Sequence, residues 1–169
     1  MGWLNRLWTP WRYQYIKSAS KKAERCFLCE AAKDPEKPEN LVVYKDEIII
    51  ILLNKYPYNN GHLMVAPIRH VKNLEDLSKD ESYKIWEGIV ISKKILDESY
   101  NPHGYNIGIN LGKAAGAGLE DHLHIHIVPR WVGDTNYMTT IASTKVMPQL
   151  LEESWKELRK AISKMKNEK

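Results

Sequence analysis

Residues 122–128 constrain the fold of this chain more than any other segment, because three histidines alternate there with apolar residues. Alternation with a period of two is typical of a β-strand, whose successive side chains point to opposite faces. His122, His124 and His126 therefore share one face. Imidazoles on that face start roughly 7 Å apart, about the span of a phosphate group. The pattern predicts a strand that presents a row of imidazoles.

Length and charge favour a single enzyme-sized domain. A chain of 169 residues is long enough to bury a substantial core. The formal net charge of +4 is too small to argue for nucleic-acid binding. The sequence contains no apolar run of membrane-spanning length and no hydrophobic signal segment. We therefore expect a cytoplasmic protein.

The first 25 residues are aromatic and basic, and we predict that they form an N-terminal arm before a single domain over residues 26–169. Pro10 interrupts any helix in the arm. The spacing of Trp3, Leu7 and Trp11 suggests an apolar face that docks on the domain or on a partner. The basic residues fit either an anionic partner or a solvated face.

The rest of the chain reads as strands and helices in an α+β domain with an antiparallel sheet. We predict strands at residues 41–44, 47–53, 63–66, 105–111 and 122–128. A capping box at Ser78 and Glu81 opens a helix to about residue 99. Its predicted buried side carries Ile85, Trp86, Ile89, Val90 and Leu96. A last helix after Pro148 has an apolar stripe made of Leu151, Trp155, Leu158, Ile162 and Met165.

The two cysteines, Cys26 and Cys29, form a Cys-x-x-Cys pair. In a cytoplasmic chain such a pair is more often a metal or redox site than a structural disulfide. A thioredoxin-type redox site needs a βαβ context that this sequence lacks. Zinc needs two further ligands, so zinc binding and free thiols both remain open.

Several segments together resemble the histidine triad family. They are the histidine row, residues 54–67 with their Asn-Gly turn, residues 106–112, residues 7–12 and residues 129–131. The resemblance extends over nearly the whole chain and is strongest to a branch that includes diadenosine tetraphosphate phosphorylases and hydrolases. It implies an open, five-stranded antiparallel sheet with a long helix and a C-terminal helix, usually as a homodimer.

The resemblance also assigns catalytic roles. The middle histidine of the family is the nucleophile, which corresponds to His124 here. It would accept a nucleotidyl group on a ring nitrogen, and water or orthophosphate would then remove that group. His126 would contact the phosphate oxygens and move a proton, and His122 would hold the frame. The implied substrate is an adenine nucleotide or a dinucleoside polyphosphate.

Substrate contacts follow from matching positions. Asn54 corresponds to a residue that contacts ribose, and Asn110 to one whose amide reaches the phosphates. Glycines of the loop before the triad, Gly116 and Gly118, would let backbone N–H groups approach a phosphate. Trp131 would stack on a second base or line its channel.

Some of these positions have other interpretations. Asn110 fits equally well as an amide that caps the loop, and Trp131 as a core or dimer residue. The loop lacks the hydroxyl residue that many relatives carry, because Gly118 is followed by Leu and Glu. His62 and His103 fall in turns and are predicted to be surface histidines.

Zinc is the one cofactor that the resemblance implies. Some family members pair two early cysteines with a histidine after the hairpin and the first triad histidine. The matching positions are Cys26, Cys29, His70 and His122. Four protein ligands close a zinc site, so this metal would be structural.

Two other functions remain open from the sequence. One is a nucleoside 5′-phosphoramidase of the same superfamily. The other is a zinc-dependent hydrolase in which His122, His124 and a third histidine hold a catalytic metal.

Overall fold

The computed structural model describes residues 26–142 and 144–167. Its strands are β1 (Val42–Lys45), β2 (Ile49–Leu53), β3 (Leu63–Pro67), β4 (Gly104–Ile109) and β5 (Ile125–Arg130). Its helices are α1 (Phe27–Lys33), α2 (Lys79–Tyr100), α3 (Tyr137–Ile141) and α4 (Leu151–Asn167). The predicted arm, residues 1–25, lies outside the described residues. None of the described helices is long and apolar enough to cross a membrane.

The strands form one five-stranded sheet in the order β1-β2-β3-β5-β4, and every neighbouring pair is antiparallel. The predicted α+β fold, with its open sheet, long helix and C-terminal helix, is therefore confirmed. The triad strand β5 lies between β3 and β4, so hydrogen bonds hold it on both sides. In that register His126 lies opposite Met64 on β3 and Gly108 on β4.

Side-chain hydrogen bonds close the predicted start of α2 and the turn between β1 and β2. The Ser78 hydroxyl accepts from the Glu81 N–H at 3.1 Å, and the Glu81 carboxylate accepts from the Ser78 N–H at 2.8 Å, which completes the capping box of α2. Between β1 and β2, the Asp46 carboxylate accepts from the N–H groups of Ile48 and Ile49, both at 2.8 Å. These side chains satisfy backbone donors that would otherwise lack partners.

The buried face of α2 differs from the predicted one. Trp86 is 69% exposed and Val90 is also exposed, so both were wrongly assigned to the core. The helix instead turns Gly88 and Ser92 toward the sheet. A Cβ added to Gly88 would lie 2.7 Å from the Ile49 side chain. The close packing needs small residues, which a count of apolar side chains overlooks.

Helices cover both faces of the sheet. On one face α2 and α4 pack over the main core, and Leu158 of α4 is fully buried there. The Trp155 indole N–H donates to the Val42 carbonyl at 2.7 Å, which ties α4 to β1. On the other face α1 buries Leu28 against β2 and β3. The sequence pattern does not predict α1, because seven residues are too few to establish a helical period.

Residues Val132–Val146 belong to a different compact unit from the one that contains the sheet. Among the described residues of this unit, the Asn136 side chain caps α3 by accepting from the Met138 N–H at 3.1 Å. The Lys145 ammonium donates to the Asp134 carbonyl at 2.7 Å. A single domain over residues 26–169 stays a prediction.

Candidate active site and metal centre

The triad strand is shorter than predicted, because β5 begins at Ile125 and the first two histidines precede it. The ladder with β4 ends at the pair formed by Ile109 and Ile125. Before that pair, the Leu123 N–H donates to the Val71 carbonyl at 2.7 Å, in the loop after β3. Only His126 therefore lies within the strand, and the other two histidines lie in the segment that leads into it.

All three triad histidines are buried. Burial is the main cause that lowers the pKa of each imidazole below its ordinary value, and for His126 the pKa falls to about 4. The rings of His124 and His126 meet edge to face with centroids 4.9 Å apart. Neutral imidazole has one N–H and one lone pair, so the chemistry of each ring depends on which nitrogen carries the proton.

The partner of His124 fixes its tautomer. Its Nδ1 lies 2.8 Å from the backbone carbonyl oxygen of His122. A carbonyl oxygen only accepts, so Nδ1 carries the proton and donates it. The lone pair of His124 is therefore on Nε2, as a ring nitrogen that attacks phosphorus requires.

A chain of hydrogen bonds fixes His126 in the opposite sense. The backbone N–H of Tyr58 donates to Nδ1 of His62 at 3.1 Å, so the His62 proton is on Nε2. That nitrogen lies 2.9 Å from Nδ1 of His126 and donates to it. The remaining His126 nitrogen, Nε2, then carries its N–H. One ring thus offers a lone pair and the next offers a proton.

His62 was wrongly predicted to be a surface residue. It is 0% exposed, and burial together with His126 and His124 lowers its pKa to about 3. Its hydrogen-bond partner lies 64 residues further along the chain, so no local pattern links the two. The signal available in the sequence was its position after the Asn-Gly turn, at the start of β3. His103 is exposed, as expected.

The turn that carries His62 is attached to the C-terminal segment through a Gln149 hub. The Gln149 side-chain oxygen accepts from Asn60 at 3.2 Å, from the Tyr100 hydroxyl at 2.8 Å and from the Ser154 hydroxyl at 2.8 Å. Its amide nitrogen donates to Glu157 at 2.7 Å. Asn60 and Ser154 are buried, so the hub satisfies polar groups that water does not reach.

The other end of the triad meets the cysteine pair. The His122 Nδ1 lies 3.2 Å from the Cys26 sulfur and 3.5 Å from the Cys29 sulfur, and the His70 Nδ1 lies 3.3 Å from the Cys29 sulfur. All four ligand atoms lie within 4.8 Å of one another. The His122 Nε2 donates to the Pro67 carbonyl at 2.9 Å, which leaves the Nδ1 lone pair facing the sulfurs. The predicted ligand set is thus together in space.

Three of the residues predicted to contact substrate directly follow strands of the sheet. Asn54 follows β2 and is half-buried, and its side-chain oxygen accepts from the Tyr56 N–H at 2.9 Å. Asn110 follows β4 and, with His122, lines a cavity of about 210 Å³. Trp131 follows β5 and is half-buried.

The loop after β4 forms hydrogen bonds within itself. The Gly116 N–H donates to the Lys113 carbonyl at 2.9 Å, so in this conformation that donor belongs to the turn of the loop. Gly116 has a φ of 85°, in the left-handed region that favours glycine. Gly118 is exposed.

Sequence and structure comparisons agree on the class of protein. The HIT domain, the histidine triad domain, matches residues 35–132, and the chain belongs to this family. It is 41% identical over 161 residues to the AP-4-A phosphorylase of Mycobacterium tuberculosis, covering 89% of this chain and 80% of that protein. It is 35% identical over 89 residues to a bis(5'-adenosyl)-triphosphatase of Dictyostelium discoideum, covering 53% of this chain and 59% of that protein.

A solved structure has the same fold. The Zn-bound histidine triad family protein of Mycobacterium smegmatis superposes with a TM-score of 0.68 at 28% identity, covering 85% of this chain and 97% of that one.

Proposed function

We propose that this protein is an enzyme that cleaves dinucleoside polyphosphates such as diadenosine tetraphosphate, through a nucleotide bound covalently to His124. The observation that carries the proposal is the complementary pair of tautomers. His124 has its lone pair on Nε2, and the adjacent His126 has its N–H there. The likeness to an AP-4-A phosphorylase over most of both chains supports the substrate class and favours orthophosphate as the acceptor.

The reaction needs two displacements at one phosphorus. The His124 Nε2 attacks the phosphorus next to a nucleoside, an N–P bond forms, and the P–O bond to the leaving nucleoside polyphosphate breaks. The His126 N–H donates to an oxygen that gains negative charge. An orthophosphate oxygen then attacks the same phosphorus, the N–P bond breaks, and a nucleoside diphosphate leaves. Water in place of orthophosphate would give a nucleoside monophosphate.

Incubation with diadenosine tetraphosphate, with and without orthophosphate, tests the proposal. We expect ADP and ATP when orthophosphate is present. AMP and ATP under both conditions would make the enzyme a hydrolase of the same substrate. Absence of cleavage under both conditions, in protein that binds the substrate, would contradict the proposal.

The phosphoramidase alternative uses the same histidines. Comparing the rates at which the enzyme cleaves an adenosine phosphoramidate and diadenosine tetraphosphate under identical conditions distinguishes the two functions. The catalytic-metal alternative has less support. Among the described residues, the cluster around His122 contains both cysteines and His70 and does not include His124.

We propose that Cys26, Cys29, His70 and His122 bind one structural zinc ion. The donor set is thiolate and imidazole, which zinc prefers. A tetrahedral zinc site has sulfur-to-nitrogen separations of roughly 3.5 Å, close to the 3.2–3.5 Å found here. Zinc would supply stability and fix the His122 ring, while the carbonyl of His122 holds His124. Elemental analysis of protein purified without chelator tests this; zinc-free protein with two free thiols would exclude it.

We further propose that Asn54 contacts a ribose, that Asn110, Gly118 and His126 contact phosphates, and that Trp131 lines the path of the second nucleoside. Gly116 would join them only if its N–H left the loop turn. Single alanine replacements of the two asparagines and of Trp131 should raise KM more than they lower kcat.

A homodimer is our proposal for the assembly. Within the part of the chain that the structure describes, β4 has a neighbouring strand on one side only, so its other edge could pair with a second copy. Tyr83, Trp86 and Val90 form an exposed apolar stripe on α2. Light scattering at micromolar protein should give twice the chain mass, and a monomer mass would contradict the proposal.

A cytoplasmic location also stays a prediction, for cell fractionation to test.

A further inference from the structure

Tyr58 lies against the hydrogen-bonded pair formed by His62 and His126. Its ring centroid is 4.8 Å from that of His62 and 5.9 Å from that of His126, tilted by 35° and 33°. Its backbone N–H is the donor that fixes the His62 tautomer. One residue thus contacts the pair through its ring and through its backbone.

The exposure of the three residues differs sharply. Tyr58 is 56% exposed, whereas His62 and His126 are buried. An exposed aromatic ring packed against two buried imidazoles would exclude competing donors and acceptors from the hydrogen bond that joins them. Without the ring, water would offer His126 another donor for Nδ1 and another acceptor for a displaced proton.

We propose that Tyr58 is a positioning residue that keeps water from the His62–His126 hydrogen bond, so that His126 presents its N–H to the substrate in one tautomer. The role of His126 toward substrate rests on the proposed function. The shielding itself is a property of the free protein, so the two can be tested separately.

Within the described part of the chain, few aromatic or titratable side chains face His126. Tyr58 and His62 face it from the turn between β2 and β3, and His124 faces it from its own segment. Burial is the first cause of its low pKa, and His124 is the second. Removing the Tyr58 ring should therefore let the pKa of His126 rise toward the ordinary value of 6.5, because the imidazolium becomes better hydrated.

The chain offers a matched control. Tyr56 is on the same turn and is 55% exposed, so Tyr56→Ala removes an equally exposed ring. Tyr58→Phe keeps the ring and removes the hydroxyl. Tyr58→Leu keeps apolar volume and serves as a second variant if Tyr58→Ala does not fold.

The test is nitrogen NMR of the imidazoles in full-length protein without substrate, titrated from pH 7 to pH 4. In Tyr58→Ala we expect the His126 titration to move up by at least about one pH unit and both tautomers to appear. In steady-state assays kcat should fall on the order of tenfold, with KM changed much less. Tyr58→Phe and Tyr56→Ala should behave like the parent.

Parent-like titration and tautomers in Tyr58→Ala would overturn the proposal, and so would equal changes in Tyr56→Ala. Loss of kcat in Tyr58→Phe as large as in Tyr58→Ala would also overturn it, because the hydroxyl would then be the active part. If the parent does not cleave dinucleoside polyphosphates but the NMR changes occur, the proposed function fails and the shielding stands.

Discussion

The two ends of the histidine triad hold their imidazoles by different chemistry. At His122 a lone pair faces two sulfurs, and the ring N–H is anchored on a backbone carbonyl. At His126 the lone pair receives an N–H from another imidazole, and the ring N–H is on Nε2, from which the proposed function has it donate to the substrate. The first arrangement suits a closed metal site, and the second suits a group that must donate a hydrogen bond during catalysis. His124 lies between them and takes its orientation from the first end.

Removing the middle ring should have the largest effect. In His124→Ala we expect turnover to fall on the order of 10³-fold or more, because the proposed covalent intermediate forms on the Nε2 of His124. Nucleotide affinity should change little. Turnover measured with diadenosine tetraphosphate, beside the nucleotide Kd, checks this. Residual activity within tenfold of the parent would end the assignment of His124.

Breaking the imidazole chain should have the next largest effect. In His62→Leu we expect kcat to fall on the order of 10²-fold, because leucine has no donor for Nδ1 of His126, so the His126 proton is no longer fixed on Nε2. His103→Leu, which changes an exposed histidine, should leave kcat at the parent value. If both variants retain more than half of the parent turnover, the hydrogen bond between His62 and His126 has no catalytic role.

Breaking the cysteine end should affect stability more than activity. In Cys26→Ser with Cys29→Ser we expect Tm to fall by about 6–12 °C, as a loss of about 3 kcal/mol would give in a protein of this size. Turnover at moderate temperature should stay within about threefold, since the metal takes no part in the chemistry. A chelator should lower the parent Tm and leave the variant unchanged. An unchanged Tm in the double variant would argue against a metal at this end.

The last expected effect concerns pH and acts on stability alone. The pKa values of His62 and His126 are about 3 and about 4, below the ordinary 6.5, so the unfolded chain binds protons there before the folded one does. The free energy of unfolding should therefore fall as pH drops from 6.5 toward 4, by about 1.4 kcal/mol per pH unit and group. The free energy of unfolding is measured by urea titration at each pH. The Cys26→Ser/Cys29→Ser variant is used so that protons do not compete with a metal ion for its ligands. His62→Gln with His126→Gln should reduce the slope of the unfolding free energy against pH. An unchanged slope would mean that other groups cause the pH dependence.

The sequence was sufficient for the parts of the site that repeat or cluster locally. The period of two identified the segment that brings the three histidines to β5, of which only His126 lies within the strand, and turn residues marked most strand ends. It was insufficient where the determinant is a distant contact. Nothing near His62 indicates that it is fully buried against His126, and the apolar count on α2 chose Trp86 where the close approach to the sheet needed Gly88. His70 joined the ligand set only through the family resemblance.

The Gln149 hub has a consequence for how the protein is made. By the time Arg130 leaves the ribosome, all five described strands and the three triad histidines have been synthesised. The turn that holds His62 still lacks the acceptor for Asn60, because Gln149 comes later in the chain. A nascent or truncated chain that ends before Gln149 thus contains all three triad histidines, but the turn that carries His62 lacks its hydrogen bond to Gln149. The turn that holds His62 gains its hydrogen bonds to Gln149 only when the C-terminal segment folds onto the rest of the domain.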